Sequence, residues 1–593
     1  MSNWRNQGRW RVFGQWVLMS VGLCLFASCD RYRSRQMEKK AIALIRAYER
    51  GIAPLDKGVA VAEYEAAQGS SPYAFGCLGD LREERALALS APARFKTVAR
   101  WHREKTFEDA YLSRQIGRIY YNTLLCQTDT ATLKRMARLE TYLYEQVIRY
   151  LGRTPRDTVP ADTLSADTLS LAVAPLPISA LLRDSIVALV QCRNAVVRKA
   201  GFNDFYDYQL ARMDMAPDSL DVWFHAFDTM TRGAYQYLKG EIDDELAARY
   251  GIPVSDLRAW HYEATFFQDI FNLYDIGQAR SYENKNVANL AVGFFESVGL
   301  YIRDIFLRSD LRPRPGKVSY VRCYDLDHRG DVRLLCGLGA DMESMCDALW
   351  VGGVALYRKN VSETLPYLLR DMDYSVLCEA TGRLFWRLPF NETWLQGMGI
   401  RYMPSDLRRT RLESYMNLHA QQLVFCRWGL VMYHFERALY RNPEQDLDKL
   451  WQELQMEYQL LSSADDVGAG GDDWATKWHI ILRPCYYHNY LLGSAVACQL
   501  NAYVCDSVLR TPDYWTPDYM ATEEVGRFFE NKIFWCGDAY PWREVLERAT
   551  GRPFSLDYYA KWLVGSEPYA EWRAEEDAVD QARRDKYLTE IDL

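Results

Sequence analysis

Hydrophobic positions recur along this chain at steps of three and four residues, the spacing that places side chains on one face of a helix. Residues 218–250 show it plainly, with Leu220, Trp223, Phe227 and Met230 on one stripe. Asp218 or Ser219 can cap the start of that helix, and Gly251 followed by Pro253 ends it. The stretch from Leu423 to Leu461 repeats the pattern, with a break at Asn442-Pro443. Runs of strand length with alternating polarity are few and scattered. The pattern predicts an all-α protein, and no strong linker divides it into separate units.

Two segments depart from the helical pattern. Residues 154–178 contain Ala161-Asp-Thr-Leu-Ser followed at once by Ala166-Asp-Thr-Leu-Ser, flanked by prolines, which reads as a polar surface insertion. Gly468-Ala-Gly-Gly-Asp-Asp reads as a turn, because it lacks the Lys-Ser/Thr that a phosphate-cradling loop requires.

The N-terminus is a third case. Arg5, Arg9 and Arg11 precede a largely apolar run of 12 residues, Trp16 to Ala27, short of the roughly 20 that span a bilayer. Leu25-Phe26-Ala27-Ser28-Cys29 then resembles the bacterial lipobox, in which the cysteine is lipidated and becomes the mature N-terminus. The expectation is a signal peptide over 1–28 and a body over 29–593. Cys29 would tether that body to a membrane, in the cell envelope and outside the cytoplasm.

Composition narrows the partners. A formal net charge of -8 gives no basic footprint, so nucleic acid is not an expected partner. Aromatic residues reach 14%, which fits a ring-rich core or a deep cleft lined by rings. Of the 14 cysteines, 12 remain once Cys24 and Cys29 are set aside. Their spacings show no paired CxxC and no regular framework, so most are expected to be buried small hydrophobes with pairing unassigned.

The residues alone offer no complete catalytic set. A zinc peptidase helix needs two histidines four residues apart, with a glutamate beside the first to take a proton from metal-bound water. The chain has 8 histidines, and the closest two, His479 and His488, lie 9 apart. There is no GxSxG elbow and no Cys–His arrangement that stands out.

Six longer stretches nevertheless occur in a recognisable order. They are Trp260-His-Tyr-Glu-Ala-Thr-Phe-Phe-Gln, Gly330-Asp-Val-Arg-Leu-Leu-Cys, Cys378-Glu-Ala-Thr-Gly-Arg-Leu-Phe, the run from Arg427-Trp-Gly to Arg441-Asn-Pro, Trp474-Ala-Thr-Lys-Trp-His-Ile, and Pro484-Cys-Tyr-Tyr-His-Asn-Tyr-Leu-Leu-Gly. Over roughly 200–500 the chain resembles the M2 peptidases, the angiotensin-converting-enzyme-like family, and especially their bacterial members. The resemblance implies a zincin-like helical ellipsoid of two subdomains around a deep central cleft.

Carried over residue by residue, the resemblance places the family's zinc helix, His-Glu-x-Gly-His-Ala-x-Tyr, on Trp350 to Tyr357. Gly353, Ala355 and Tyr357 match. The first ligand position is Trp350, the general base Val351 and the second ligand Val354. The third ligand position keeps its acid as Glu379. Tyr320 stands where the family has a histidine that hydrogen-bonds substrate backbone. Lys477, His479, Tyr487 and Tyr490 retain the residues that in the family hold the substrate carboxylate and stabilise the oxyanion.

Catalytic zinc needs about three protein ligands, and one remains. The expectation is therefore a catalytically inactive homologue without zinc, its former metal pocket turned into an apolar wall. A carboxylate deprived of its dication tends to find another cation. Arg383, one turn on from Glu379, is the expected partner. His488 is expected to hydrogen-bond a neighbouring backbone group. The cleft would bind a peptide or protein segment through Lys477, His479, Tyr487 and Tyr490. One alternative is an active dipeptidyl-carboxypeptidase-type enzyme with a metal site rebuilt from Cys336, Cys346, Cys378, Glu379 and His479. Another is a structural subunit of a surface lipoprotein assembly.

Overall fold

The computed structural model describes residues 6–69, 73–152, 178–262, 265–270, 273, 281–400, 407–461, 474–511, 517 and 519–564. The polar duplication and the Gly468 loop lie outside these residues, as does the side chain of Cys29. The backbone at Cys29 runs within a long first helix, Asn6–Ala67. Among the described residues no helix is long and apolar enough to cross a membrane.

The described residues are mainly helical, and the all-α expectation holds. The described strands are one antiparallel hairpin, β1 (Arg322–Asp325) and β2 (Val332–Leu335), with Arg322 opposite Leu335. Its connection turns at Gly330, whose φ of 105° is a conformation that glycine adopts without a Cβ clash. The Gly330-Asp-Val-Arg motif thus builds a strand leading into the helix that carries Trp350.

The two helices read from periodicity are present with shifted edges. Pro217–Tyr250 begins with Pro217 at its first turn, where a missing N–H costs nothing, and Ala216 rather than Asp218 or Ser219 is its N-cap. Gly251 closes it in the left-handed conformation, its N–H bonded to Ala247 and Ala248 carbonyls. The buried stripe is Leu220, Phe224, Phe227, Thr231 and Tyr235. Trp223 is half-buried and Met230 exposed, because a 3.6-residue turn carries those positions off the face. The later helix starts at Leu407, ends at Arg441 where the Asn-Pro break falls, and is followed by Leu447–Leu454.

Three packed helices frame the site: Met342–Lys359, Val376–Trp386 and Tyr487–Tyr503. The middle one touches both neighbours closely enough to exclude side chains. A Cβ on Gly382 would lie 2.5 Å from Trp350 Cδ1 and 2.8 Å from its carbonyl oxygen. A Cβ on Gly493 would lie 2.7 Å from Glu379 Cγ. Gly382 thus lets the helix of Trp350 approach the middle helix, and Gly493 lets Tyr487–Tyr503 approach it at Glu379. Ser375 caps the middle helix, its hydroxyl accepting from Cys378 N–H, and so fixes where Glu379 enters the core.

None of the 12 described cysteines is in a disulfide, and nine of them are buried. They behave as small hydrophobes, as expected.

Candidate functional site

Glu379 is the centre of the site and is 3% exposed. Its Oε1 accepts from Arg383 Nε at 3.0 Å, the expected pairing one helical turn apart. The same oxygen accepts from the indole N–H of Trp350 at 3.0 Å. Oε2 accepts from the Tyr486 hydroxyl at 3.2 Å. The carboxylate therefore has a guanidinium, an indole and a phenol around it. A buried charge needs such partners, since leaving it bare costs several kcal/mol.

This geometry refines the expected apolar wall. Val351 and Val354 are buried aliphatic side chains, at 1% and 8% exposure. Trp350, by contrast, turns its one polar atom onto the surviving acid. The tryptophan at the first-ligand position thus caps the glutamate that would otherwise grip a cation.

Tyr320, Lys477, His479, Tyr487 and Tyr490 lie near one another through a chain of ring contacts. The Tyr320 ring stacks on Trp478 with centroids 5.1 Å apart, and Trp478 stacks on His479. Tyr490 OH and His479 Nε2 lie 3.4 Å apart. Tyr320 OH pairs with Tyr324 OH at 2.9 Å. Burial, then Lys477, Arg483 and Arg383, push His479 well below the usual imidazole range, so the ring is neutral. Burial, followed by the charge of Glu379, holds the Tyr490 phenol above its ordinary value and therefore protonated. Both side chains act as hydrogen-bonding groups at neutral pH.

Lys477 sits over the rings of Phe266, Trp428 and Tyr487, with its ammonium 4.8–5.8 Å from their centroids. It also donates to Gln268 Oε1. The Tyr487 hydroxyl accepts from Trp428 Nε1 at 2.9 Å. Lys477, His479, Tyr487 and Tyr490 are each less than 9% exposed. Gln268 and Tyr486 are site residues that the spacing of the motifs did not single out. Gln268 is the last residue of the Trp260 motif, and Tyr486 precedes Tyr487 in the Pro484 motif.

His488 departs from expectation. Its Nδ1 meets the Tyr206 hydroxyl at 2.9 Å rather than a neighbouring backbone group. Full burial and then Arg437 lower the ring to about 3. The cysteines weighed for a rebuilt metal site do not assemble. Cys378 Sγ donates to the Val354 carbonyl at 3.6 Å, and Glu379 is occupied as described. Among the described residues, no three His, Cys, Asp or Glu side chains are placed to hold an ion.

The chemistry of the donor set decides the fit to zinc. An indole and two isopropyl groups at the ligand and base positions supply no lone pair for a metal and no base for its water. The one acid is saturated by three donors. These residues do not fit a catalytic zinc.

Beside the site lies a cavity of about 340 Å³. Ser375, Val376 and Leu377, the residues leading to Glu379, form part of its wall, as do Arg322 and Tyr324 of β1. The segment leading to Glu379 therefore lines open space.

No curated protein matches the chain. The sequence profile of the angiotensin-converting enzyme family, Peptidase_M2, matches residues 267–582, more than half of the 593 residues. The match begins later and runs further towards the C-terminus than the motifs suggested. With the helical fold in agreement, this match shows that the chain belongs to the angiotensin-converting enzyme family of peptidases, family M2.

Proposed function

We propose that this chain is a non-catalytic member of the M2 family that binds peptide segments in its cleft, tethered to a membrane through Cys29. The observation that carries the loss of catalysis is the Glu379 carboxylate, held by Trp350, Arg383 and Tyr486 where a metal ligand set would otherwise form. Val351 cannot accept a proton, so a water molecule there has no base.

Retained binding is supported by the residues packed beside the Glu379–Arg383 pair. Lys477, Gln268, Tyr487, His479 and Tyr490 form a contiguous polar and aromatic cluster. A lysine with three N–H donors among rings suits a peptide carboxylate, whose arrival must open the buried cluster. Calorimetry with short peptides tests it. Wild type should bind without releasing dipeptides, and Lys477→Ala should weaken binding by about tenfold or more. Unchanged affinity in Lys477→Ala rules out this carboxylate pocket.

The tether is read from the lipobox-like Leu25–Cys29 segment, since acyl chains contribute about 0.8 kcal/mol per buried CH₂. Cys29→Ser should move the protein from the membrane to the soluble fraction. A variant that stays with the membrane removes the lipid anchor from the account.

A further inference from the structure

The cavity beside Glu379 carries an imbalance of charge on one wall. Arg358 and Arg483 both approach Asp373 Oδ1, at 3.2 and 3.3 Å. Arg322, on β1, has its nearest acid in Glu63 at 3.6 Å, and Glu63 is already held by Arg82 at 2.7 Å. Four guanidiniums thus share two carboxylates. The other acids close by are committed elsewhere: Asp325 to His328 at 3.2 Å, Glu379 to Arg383, and Asp56 to Arg85 at 2.5 Å. Asp214 and Asp538 pair with Arg114 at 2.7 and 2.8 Å, and Asp371 with Arg212 at 3.9 Å. The Nε atoms of Arg322 and Arg358 are buried and make no hydrogen bond among the described residues. Arg358 is itself only 8% exposed.

An unbalanced pair of buried guanidiniums beside open space is costly unless an anion completes it. A planar fork of N–H donors fits a carboxylate with two parallel bonds. Tyr374 and Tyr486, whose rings meet at 5.6 Å, join this wall to Glu379. The cavity volume is at the lower end of the range that holds small ligands.

We infer that the wall formed by Arg322 and Arg358 is a subsite for a carboxylate, and that it selects peptides carrying an acidic side chain. The selection of peptides rests on the peptide-binding reading above, whereas the carboxylate site itself does not. Nothing in the degenerate metal position is needed for it.

Two probes separate the inferences. Glutarate, compared with chloride at equal ionic strength, should raise the thermal unfolding temperature of the wild type. Arg322→Gln should lose that difference. A pair of pentapeptides differing only in Glu against Gln should bind the wild type with at least about tenfold preference for Glu. Arg322→Gln should equalise the pair by weakening only the Glu peptide. Glutarate stabilisation without binding of either peptide leaves the carboxylate site standing and removes the peptide-binding reading. Peptides that bind without acid preference, or glutarate acting no better than chloride, overturn the subsite. Both wild-type comparisons are decisive even where Arg322→Gln fails to fold.

Discussion

Trp350 does two things that a generic apolar replacement would not. It fills the first-ligand position with an indole, and it donates that indole's N–H to Glu379. A hydrogen bond to a charged, buried acceptor is worth about 1.5–3 kcal/mol. Trp350→Phe, which keeps the ring and removes the donor, should therefore lower unfolding stability by about that amount in denaturant titration. A loss below about 0.5 kcal/mol would mean that Arg383 and Tyr486 satisfy the carboxylate alone. Of the three groups on Glu379, only Arg383 was legible in the sequence, because residues four apart share a helix face. Trp350 lies 29 positions away and Tyr486 lies 107 away. Their meeting depends on how three helices are set against one another, which no local spacing encodes.

At the scale of elements, the site exists because the helices Met342–Lys359, Val376–Trp386 and Tyr487–Tyr503 touch through glycine. Gly382→Ala should gain helix propensity of about 1 kcal/mol, yet its Cβ would collide with the Trp350 backbone and ring. Overpacking of that kind costs about 1–3 kcal/mol, so the net effect should be a lower unfolding temperature measured by circular dichroism. A variant at least as stable as wild type would show that the helices can move apart freely. Helix existence and the Asn-Pro break followed from the sequence, since both are local properties. The caps were less legible: Ala216 has no side chain that could announce a helix start, and the Pro217 that follows it was the better signal. The β1–β2 hairpin was also hidden, because its four-residue strands are too short for alternation to register.

Across the whole molecule, the helical fold is that of the M2 family. Lys477, His479, Tyr487 and Tyr490 match the family's motifs in sequence, whereas Trp350, Val351 and Val354 do not. Motifs in order made the family legible, and ungapped distance then identified Trp350, Val351 and Val354 at the ligand and base positions. The sequence could not reveal that Lys477 is already engaged by Gln268 within a ring of aromatic side chains. Nor could it reveal the cavity walled by Arg322 and Arg358, whose contacts come from distant parts of the chain. The picture is of an M2-family fold in which a guanidinium, an indole and a phenol hold the buried Glu379 carboxylate.

Zinc content of the purified protein, after equilibration with excess zinc and removal of the unbound metal, tests that picture most directly. The account predicts far less than one tightly held zinc per chain, in wild type and in Glu379→Gln alike. About one zinc per chain that is lost in Glu379→Gln would contradict it, because the remaining donors would then be gripping a metal after all.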